Sequence, residues 1–299
     1  MRKFKKISGG HLKVRDYFLH CRRHPELDPF LYFTPDSTYQ SDELWQDVPR
    51  DKIVKDIQLE NYEIIFVAGK DWNLLPENLA GRKIVNFIQH VKHGDPADER
   101  FSFLSRPALR ICVSREAYEA IAPHISGEAV VIKNGIPLDL FQGEASKDAG
   151  AVLIWARKNP ELGRRLYNRL AERRVNARVL MDYLPRVDFA RELTASDIFV
   201  ALPHQSEGFY LPALEAMAAH CAVVCSDAVG NRSFCIHGET CMMPEFDNFD
   251  NHLAMIDRLL GESATKEKIR RNGYEMGRSY SIETERAEFY RFLDKFILS

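Results

Sequence analysis

Ser206-Glu-Gly-Phe-Tyr-Leu-Pro-Ala-Leu-Glu-Ala-Met-Ala-Ala-His-Cys-Ala-Val-Val-Cys-Ser-Asp-Ala-Val-Gly-Asn231 is the stretch from which the fold can be read. Pro212 suits the first turn of a helix, where its missing amide N–H would have had no partner, so a helix is expected to start near Leu211. Glu207 and Gly208 then lie in the loop ahead of it, and the amides of the first turn favour an anion. Helical side chains lean back toward the N-terminus, which brings Glu215 to the edge that Glu207 lines from the loop. After the helix, Cys221-Ala-Val-Val-Cys225 is a short β-branched run closed by Ser226 and Asp227, with a further helical stretch beyond Gly230 and Asn231. Loop, helix, strand and helix in this order make a unit of a parallel sheet.

An anion site flanked by two carboxylates suits a ligand that carries both phosphate and polyol, and a sugar nucleotide is such a ligand. An isolated E-x7-E spacing would fit equally a solvated loop acid and a glutamate balancing the helix dipole, so the surroundings must decide.

Outward from this stretch, short apolar or β-branched runs recur at 31–33, 63–68, 83–90, 110–114, 129–133, 152–156, 177–181, 197–202, 222–226 and 240–243, between longer helical stretches. The alternation predicts an α/β protein with parallel sheets covered by helices. A chain of 299 residues, at roughly 150 residues per domain, gives about two domains. Lys133-Asn-Gly-Ile-Pro-Leu-Asp-Leu-Phe141 carries part of the family resemblance set out below, which implies a boundary near residue 125 and domains of 1–125 and 126–282. Turn clusters at 93–96 and 143–150 punctuate the chain, and the second marks a surface or inter-domain loop. Toward the end, Ala287, Tyr290 and Leu293 recur at helical spacing within an expected helix 283–297.

Composition narrows the function classes. With 45% hydrophobic and 28% charged residues the chain reads as globular, and a net charge of -2 with a pI near 6.6 argues against a nucleic-acid binder. Arg2, Lys3, Lys5 and Lys6 are basic, but no apolar run follows them as a signal peptide requires, and no stretch reaches the length of a spanning helix. A cytoplasmic protein is expected; the basic start suits either anionic lipid at the inner face of a membrane or a first strand. The six cysteines have no C-x2-C spacing and read as reduced core residues. Cys221, Cys225, Cys235 and His237 make a poor zinc set, because 221–225 spans a strand.

The phosphate contacts are expected after Val152-Leu-Ile-Trp-Ala156, a buried strand followed by Arg157-Lys-Asn-Pro-Glu-Leu-Gly163 at its carboxyl end, where open α/β sheets bind ligands. Arg157 would neutralise a departing diphosphate; Lys158 fits that role or that of a solvated side chain. In the first half, 3–7 reads as a strand, and Ser8, Gly9 and Gly10 turn into a helix, either letting backbone approach a ligand or simply turning tightly. The run 84–90 ends in His90, structural as a lone strand-end histidine or contacting a donor sugar as the resemblance given below implies, with His93 and His11 as weaker candidates. Tyr39, Trp45 and Trp72 offer faces to a sugar ring or serve as packing.

At the level of these motifs, residues 203–245 resemble the donor-binding signature of the retaining glycosyltransferases of the GT-B fold, the large group 1 family. The resemblance rests on Glu207-Gly208-Phe209, Leu214-Glu215-Ala216-Met217-Ala218, Val223-Val224, Ser226, Gly230 and the late His237-Gly238-Glu239, with Arg157 and Gly163 on the family's phosphate segment and 133–141 on its domain-opening turn. It implies a GT-B fold of two Rossmann-like, doubly wound domains facing a central cleft, with the final helix crossing back to a short acceptor-side domain. It further implies transfer of a hexosyl group from a UDP- or GDP-linked donor to a glycan, lipid-linked or small-molecule acceptor, as in polysaccharide biosynthesis, with no metal or other cofactor. Arg157, Lys158, Glu207 and His90 would be catalytic; Glu215, Ser206, Gly208, Phe209, Tyr210, Leu211, Gly9 and Gly10 would bind substrate. Three positions depart from the pattern: His220 stands for Gly, Ala222 for Pro and Leu162 for Lys. Leu162 and His220 keep alive a non-catalytic sugar-nucleotide-binding subunit, and fold alone leaves an epimerase or a phosphorylase open.

Overall fold

The computed structural model describes residues 4, 7–39, 43–79, 81–141 and 147–298. The expected strand at 3–7 and the basic start at residues 2–6 lie largely outside the described residues, as does the first half of the turn cluster 143–150. The chain divides into two compact units, Met1–Asn134 with Glu283–Ser299, and Gly135–Ile282.

In the first unit the order is α1 (Gly9–Arg23), β1 (Leu31–Tyr32), β2 (Ile53–Val54), β3 (Ile64–Ala68), β4 (Lys83–Ile88), β5 (Leu109–Cys112), α2 (Arg115–Ile121) and β6 (Ala129–Val131). Strands β3, β4, β5 and β6 form a parallel sheet in that order, and β1 pairs with β2 in a separate parallel pair. The break between units falls at 134/135, some residues beyond the position near 125 expected from turn motifs, because β6 still pairs with β5. β4, Lys-Ile-Val-Asn-Phe-Ile, is buried along all but its first residue, as a strand covered on both faces must be.

The second unit runs β7 (Val152–Trp155), α3 (Pro160–Glu172), β8 (Ala177–Leu180), α4 (Arg186–Ala195), β9 (Ile198–Ala201), α5 (Leu211–Ala218), β10 (Ala222–Cys225), α6 (Phe249–Gly261) and α7 (Ser263–Arg278). Its sheet is parallel throughout in the order β10-β9-β7-β8. Leu162, Leu166 and Leu170 of α3 recur at helical spacing and pack with Ile154, Val200 and Val224 of the sheet and Ile256 and Leu259 of α6 into one core. Residues 240–243 do not form the expected strand; Met242 makes an isolated bridge with Val224 at the β10 edge.

The last helix, α8 (Ile282–Phe296), is grouped with the first unit from Glu283 onward. Its buried stripe is Glu285, Phe289, Phe292 and Leu293. Ala287, expected on that stripe, is exposed, and Tyr290 is half-buried with its hydroxyl donating to His20 O at 2.9 Å. Within the unit Phe289 meets Tyr17 of α1 edge-on at 4.9 Å, and Lys83 Nζ donates to Ile297 O at 2.5 Å.

No helix of the described residues is long and apolar enough to cross a membrane.

Candidate functional site

In the second sheet the chain leaves β7 for β8 on one side and returns to β9 on the other, so the winding reverses between β7 and β9. Such a switch point opens a crevice outside the carboxyl ends of the strands. The β7–β9 ladder ends at Trp155 and Ala201, and Leu202 N donates to Trp155 O at 3.2 Å, so both chains emerge together. Arg157 and Lys158 follow β7; Glu207 follows β9. Lys158 Nζ stands 3.3 Å from Glu207 Oε1, which brings residues 49 apart in sequence across the switch point. The lysine side chain is 52% exposed and the glutamate 15%, so the cation is reachable while the carboxylate is mostly enclosed.

Two close approaches fix this geometry. A Cβ on Gly163 would lie 2.2 Å from Ala156 Cβ, so only glycine lets α3 press against the end of β7. A Cβ on Gly230 would lie 2.1 Å from Gly208 C and 2.6 Å from Glu207 O, and Gly230 N donates to Glu207 O at 2.9 Å. Gly230 is thus the floor on which the 207–208 loop rests.

α5 opens at Leu211 with Pro212 in its first turn. Tyr210 N donates to Asn231 Oδ1 at 3.2 Å and Ala213 N to Tyr210 O at 3.3 Å, so neither amide is available to an anion. Ser206 is half-buried beside His204, its Oγ 2.9 Å from the ring Nδ1. Gly208, Phe209, Tyr210 and Leu211 are buried, with Phe209 packed on Phe234 at 5.0 Å and on Tyr280 at 5.9 Å. The Tyr210 hydroxyl is buried without a hydrogen-bond partner. Burial pushes its phenol well above the usual range; the charges of Glu207 and Glu215 add to this and that of Arg157 opposes it. Glu215 is 4% exposed and accepts from Arg186 Nη2 at 3.0 Å. Arg157 lies 5.7 Å from the Trp155 ring centre and 5.4 Å from that of Tyr183. The sequence reading overlooked Arg186 and Tyr183; both follow β8, and the strand-end position was the signal that would have found them.

The departing positions have physical readings. Leu162 is buried in the core under an Asn159 cap, whose side chain accepts from Leu162 N at 3.2 Å, so no lysine reaches the site from there. His220 has φ of 58°, the left-handed conformation that a glycine adopts freely, and stacks on Tyr274 with ring centres 3.4 Å apart. Ala222 N donates to Asp197 O at 2.9 Å, a bond that proline could not make.

In the first unit, Gly10 O accepts from Gln89 Nε2 at 3.1 Å, so the first turn of α1 at Gly9-Gly10 and the segment just after β4 that carries His90 are brought together. Ser8 caps α1 there, its Oγ 2.7 Å from His11 Nδ1. His90 is half-buried and accepts through Nδ1 from Lys92 N at 3.2 Å. His93 is buried, and burial, reinforced by Arg100 and His90, lowers its pKa to about 3. Trp45 and Trp72 are buried packing residues rather than platforms for a sugar ring, and Tyr39 stacks on Phe33 at 4.1 Å. Cys221, Cys225 and Cys235 are buried free thiols, and among the described residues no group of three or more His, Cys, Asp or Glu is arranged to hold a metal ion.

Two parallel sheets, the second with its charges gathered at a switch point, define a GT-B protein. The whole chain superposes on solved structures of that fold. HepE of Anabaena in complex with UDP-glucose matches with a TM-score of 0.77 at 14% identity over 99% of this chain and 98% of that one. The sucrose-phosphate synthase from Thermosynechococcus elongatus matches with 0.73 at 16% identity over 99% and 95%. A glycosyltransferase from Rickettsia africae matches with 0.70 at 13% identity over 99% of both chains. No curated protein matches the chain in sequence. Within the second unit, residues 149–276 match the model of the glycosyl transferases group 1.

Proposed function

We propose that the protein transfers a glycosyl group from a nucleotide-sugar donor, UDP- or GDP-linked, to a carbohydrate or lipid-linked acceptor hydroxyl with retention of configuration. The observation that carries this reading is the meeting of Lys158 and Glu207 at 3.3 Å across the β7–β9 switch point, where Arg157 also follows β7. The family match and the UDP and UDP-glucose complexes of HepE support a nucleotide-sugar donor.

Arg157 and Lys158 stabilise the departing nucleoside diphosphate, taking the role that a metal ion would otherwise fill. A half-exposed ion pair is worth little in water, so a diphosphate can take the Lys158 ammonium from Glu207 at small cost. Glu207 then turns to the sugar hydroxyls, with Ser206, Gly208, Phe209, Tyr210 and Leu211 shaping the donor loop, and Glu215 receives the ribose diol. In the first unit, His90 with the Gly9-Gly10 turn contacts substrate. The acceptor oxygen bonds to the anomeric carbon from the face that the diphosphate leaves, the C–O bond to phosphate breaks, and the hydroxyl proton passes to the phosphate oxygen. No carboxylate acts as a nucleophile in this scheme.

A second reading, a non-catalytic sugar-nucleotide-binding subunit, draws on the buried Leu162 where the family carries a lysine. Thermal stability with UDP, GDP, ADP, dTDP and their sugar conjugates tests the first premise, because a ligand at 100 times its Kd stabilises by about 2.7 kcal/mol. Stabilisation by one base and acceptor-dependent release of its diphosphate support transfer. Binding without release in the presence of acceptors favours the subunit reading, and no shift from any nucleotide sinks both.

A further inference from the structure

We infer that Asn159 is a positioning residue: through Asp247 it holds the Arg157-Lys158 loop in the place where both cations meet the donor diphosphate. The inference rests on the proposed diphosphate contact of Arg157 and Lys158.

The loop from β7 to α3 is fixed at both ends. At its start Ala156 is buried and its N donates to Leu180 O at 2.8 Å; at its end Asn159 caps α3, its Oδ1 accepting from Leu162 N at 3.2 Å. Only Arg157 and Lys158 lie between these two anchors. Serine and aspartate would cap α3 as well as asparagine does. Asparagine alone among them carries, on a second atom, an N–H donor beside the acceptor that the cap uses. Asn159 uses that donor: Nδ2 donates to Asp247 Oδ1 at 2.9 Å. Asp247 has φ of 57°, a left-handed conformation that glycine adopts at lower cost, and it immediately precedes Asn248, the cap of α6. The side chain at 247 is therefore explained by its contact and not by the turn.

The contact ties the N-terminal ends of α3 and α6 together beside the loop. The same helices are already joined by Leu166, Leu170, Ile256 and Leu259 in the core, by Arg165 over the Phe249 ring at 4.6 Å, and by Arg173 Nη1 at 2.6 Å from Asp257 Oδ1. An exposed hydrogen bond adds little stability to helices so joined. What it fixes is the place of residue 159, and with it the reach of the two cations that precede it.

The test measures the affinity of the full chain for UDP and for uridine, with GDP and guanosine if the thermal panel selects guanine. The variants are Arg157→Ala, Asn159→Ser, Asp247→Gly, the Asn159→Ser/Asp247→Gly double variant, Asp247→Asn and Arg173→Met. The wild type should prefer the diphosphate by about a hundredfold, the scale of two charge-assisted contacts, and Arg157→Ala should cut that ratio about tenfold. Asn159→Ser, which keeps the cap, and Asp247→Gly, which suits the turn, should each cut the ratio about fivefold through UDP alone, and the double variant should go no further. Asp247→Asn, whose side-chain oxygen still accepts from Asn159, should stay within about twofold of wild type, as should Arg173→Met, which breaks only the far link between the helices. If Arg157→Ala cuts the ratio while Asn159→Ser and Asp247→Gly keep it, the inference fails and the diphosphate contact stands. If Arg157→Ala keeps the ratio, the diphosphate contact fails and takes the inference with it. Equal losses of UDP and uridine affinity in Asn159→Ser and Asp247→Gly, or a fall of the ratio in Arg173→Met as well, mean general packing of α3 on α6 and overturn the inference. Should Asn159→Ser not fold, the Asp247 variants decide: equal ratios in Asp247→Gly and Asp247→Asn overturn it.

Discussion

Lys13 and Lys158 each pair with a glutamate, and the difference between the two pairs separates what holds this protein together from what is proposed to work in it. Lys13 of α1 lies 2.6 Å from Glu285 of α8 and 2.9 Å from Asp16, with His20 Nε2 2.9 Å from the other Glu285 oxygen. The Lys13 and Glu285 side chains are no more than 1% exposed, so water offers no replacement for a lost partner. Lys158 is half exposed and loses little by exchanging Glu207 for another anion. A charge pair closed inside one unit is architecture; a charge pair open at a switch point is a candidate site.

The contrast can be broken from either side. Glu285→Leu should cost the most, about 3 kcal/mol or more in urea unfolding, because it leaves the buried lysine and histidine short of a partner. An effect below 1 kcal/mol would erase the distinction. In acid, His93 should dominate a related loss in the first unit: its folded pKa of about 3 lies below the ordinary 6.5. Between those values the unfolded chain binds a proton that the folded chain refuses. Stability should therefore fall as pH drops through that window, by up to about 1.4 kcal/mol per pH unit, and His93→Gln should flatten this limb. At the site, Arg157→Ala should lower turnover by roughly 10²-fold with a near wild-type melting curve. Gly230→Ala should displace the Glu207-Gly208 loop and raise the donor KM more than it lowers the melting temperature. Smallest of all, Lys158→Met should alter folding stability by less than about 0.5 kcal/mol while weakening diphosphate binding.

Much of the second unit was legible because its signals are local. Pro212 marks the start of α5, β-branched runs mark β7, β9 and β10, and the E-x7-E spacing lies within one loop and helix. Glycines were legible as glycines, but not as the contacts that Gly163 and Gly230 make with residues elsewhere in the chain. What escaped depends on tertiary meetings: Arg186 on Glu215, Lys158 on Glu207, and the burial of Leu162, which only the packing of α3 on the sheet decides. The β1–β2 pairing over Ile53–Val54 is too short to carry a pattern, and 240–243 has the composition of a strand but pairs with β10 through a single bridge at Met242. Ala287 kept the helical period of α8 but lies off the stripe that Glu285 and Phe289 bury.

The most direct test of the central claim is calorimetric titration of UDP into the wild type, Lys158→Met and Glu207→Gln, with GDP in its place if the thermal panel selects guanine. If the pair at the switch point is exchangeable, the two variants move in opposite directions: Lys158→Met weakens diphosphate binding about tenfold, whereas Glu207→Gln, which releases the ammonium, leaves it unchanged or tightens it. Equal losses in both variants, or no change in either, would contradict a donor diphosphate at Lys158.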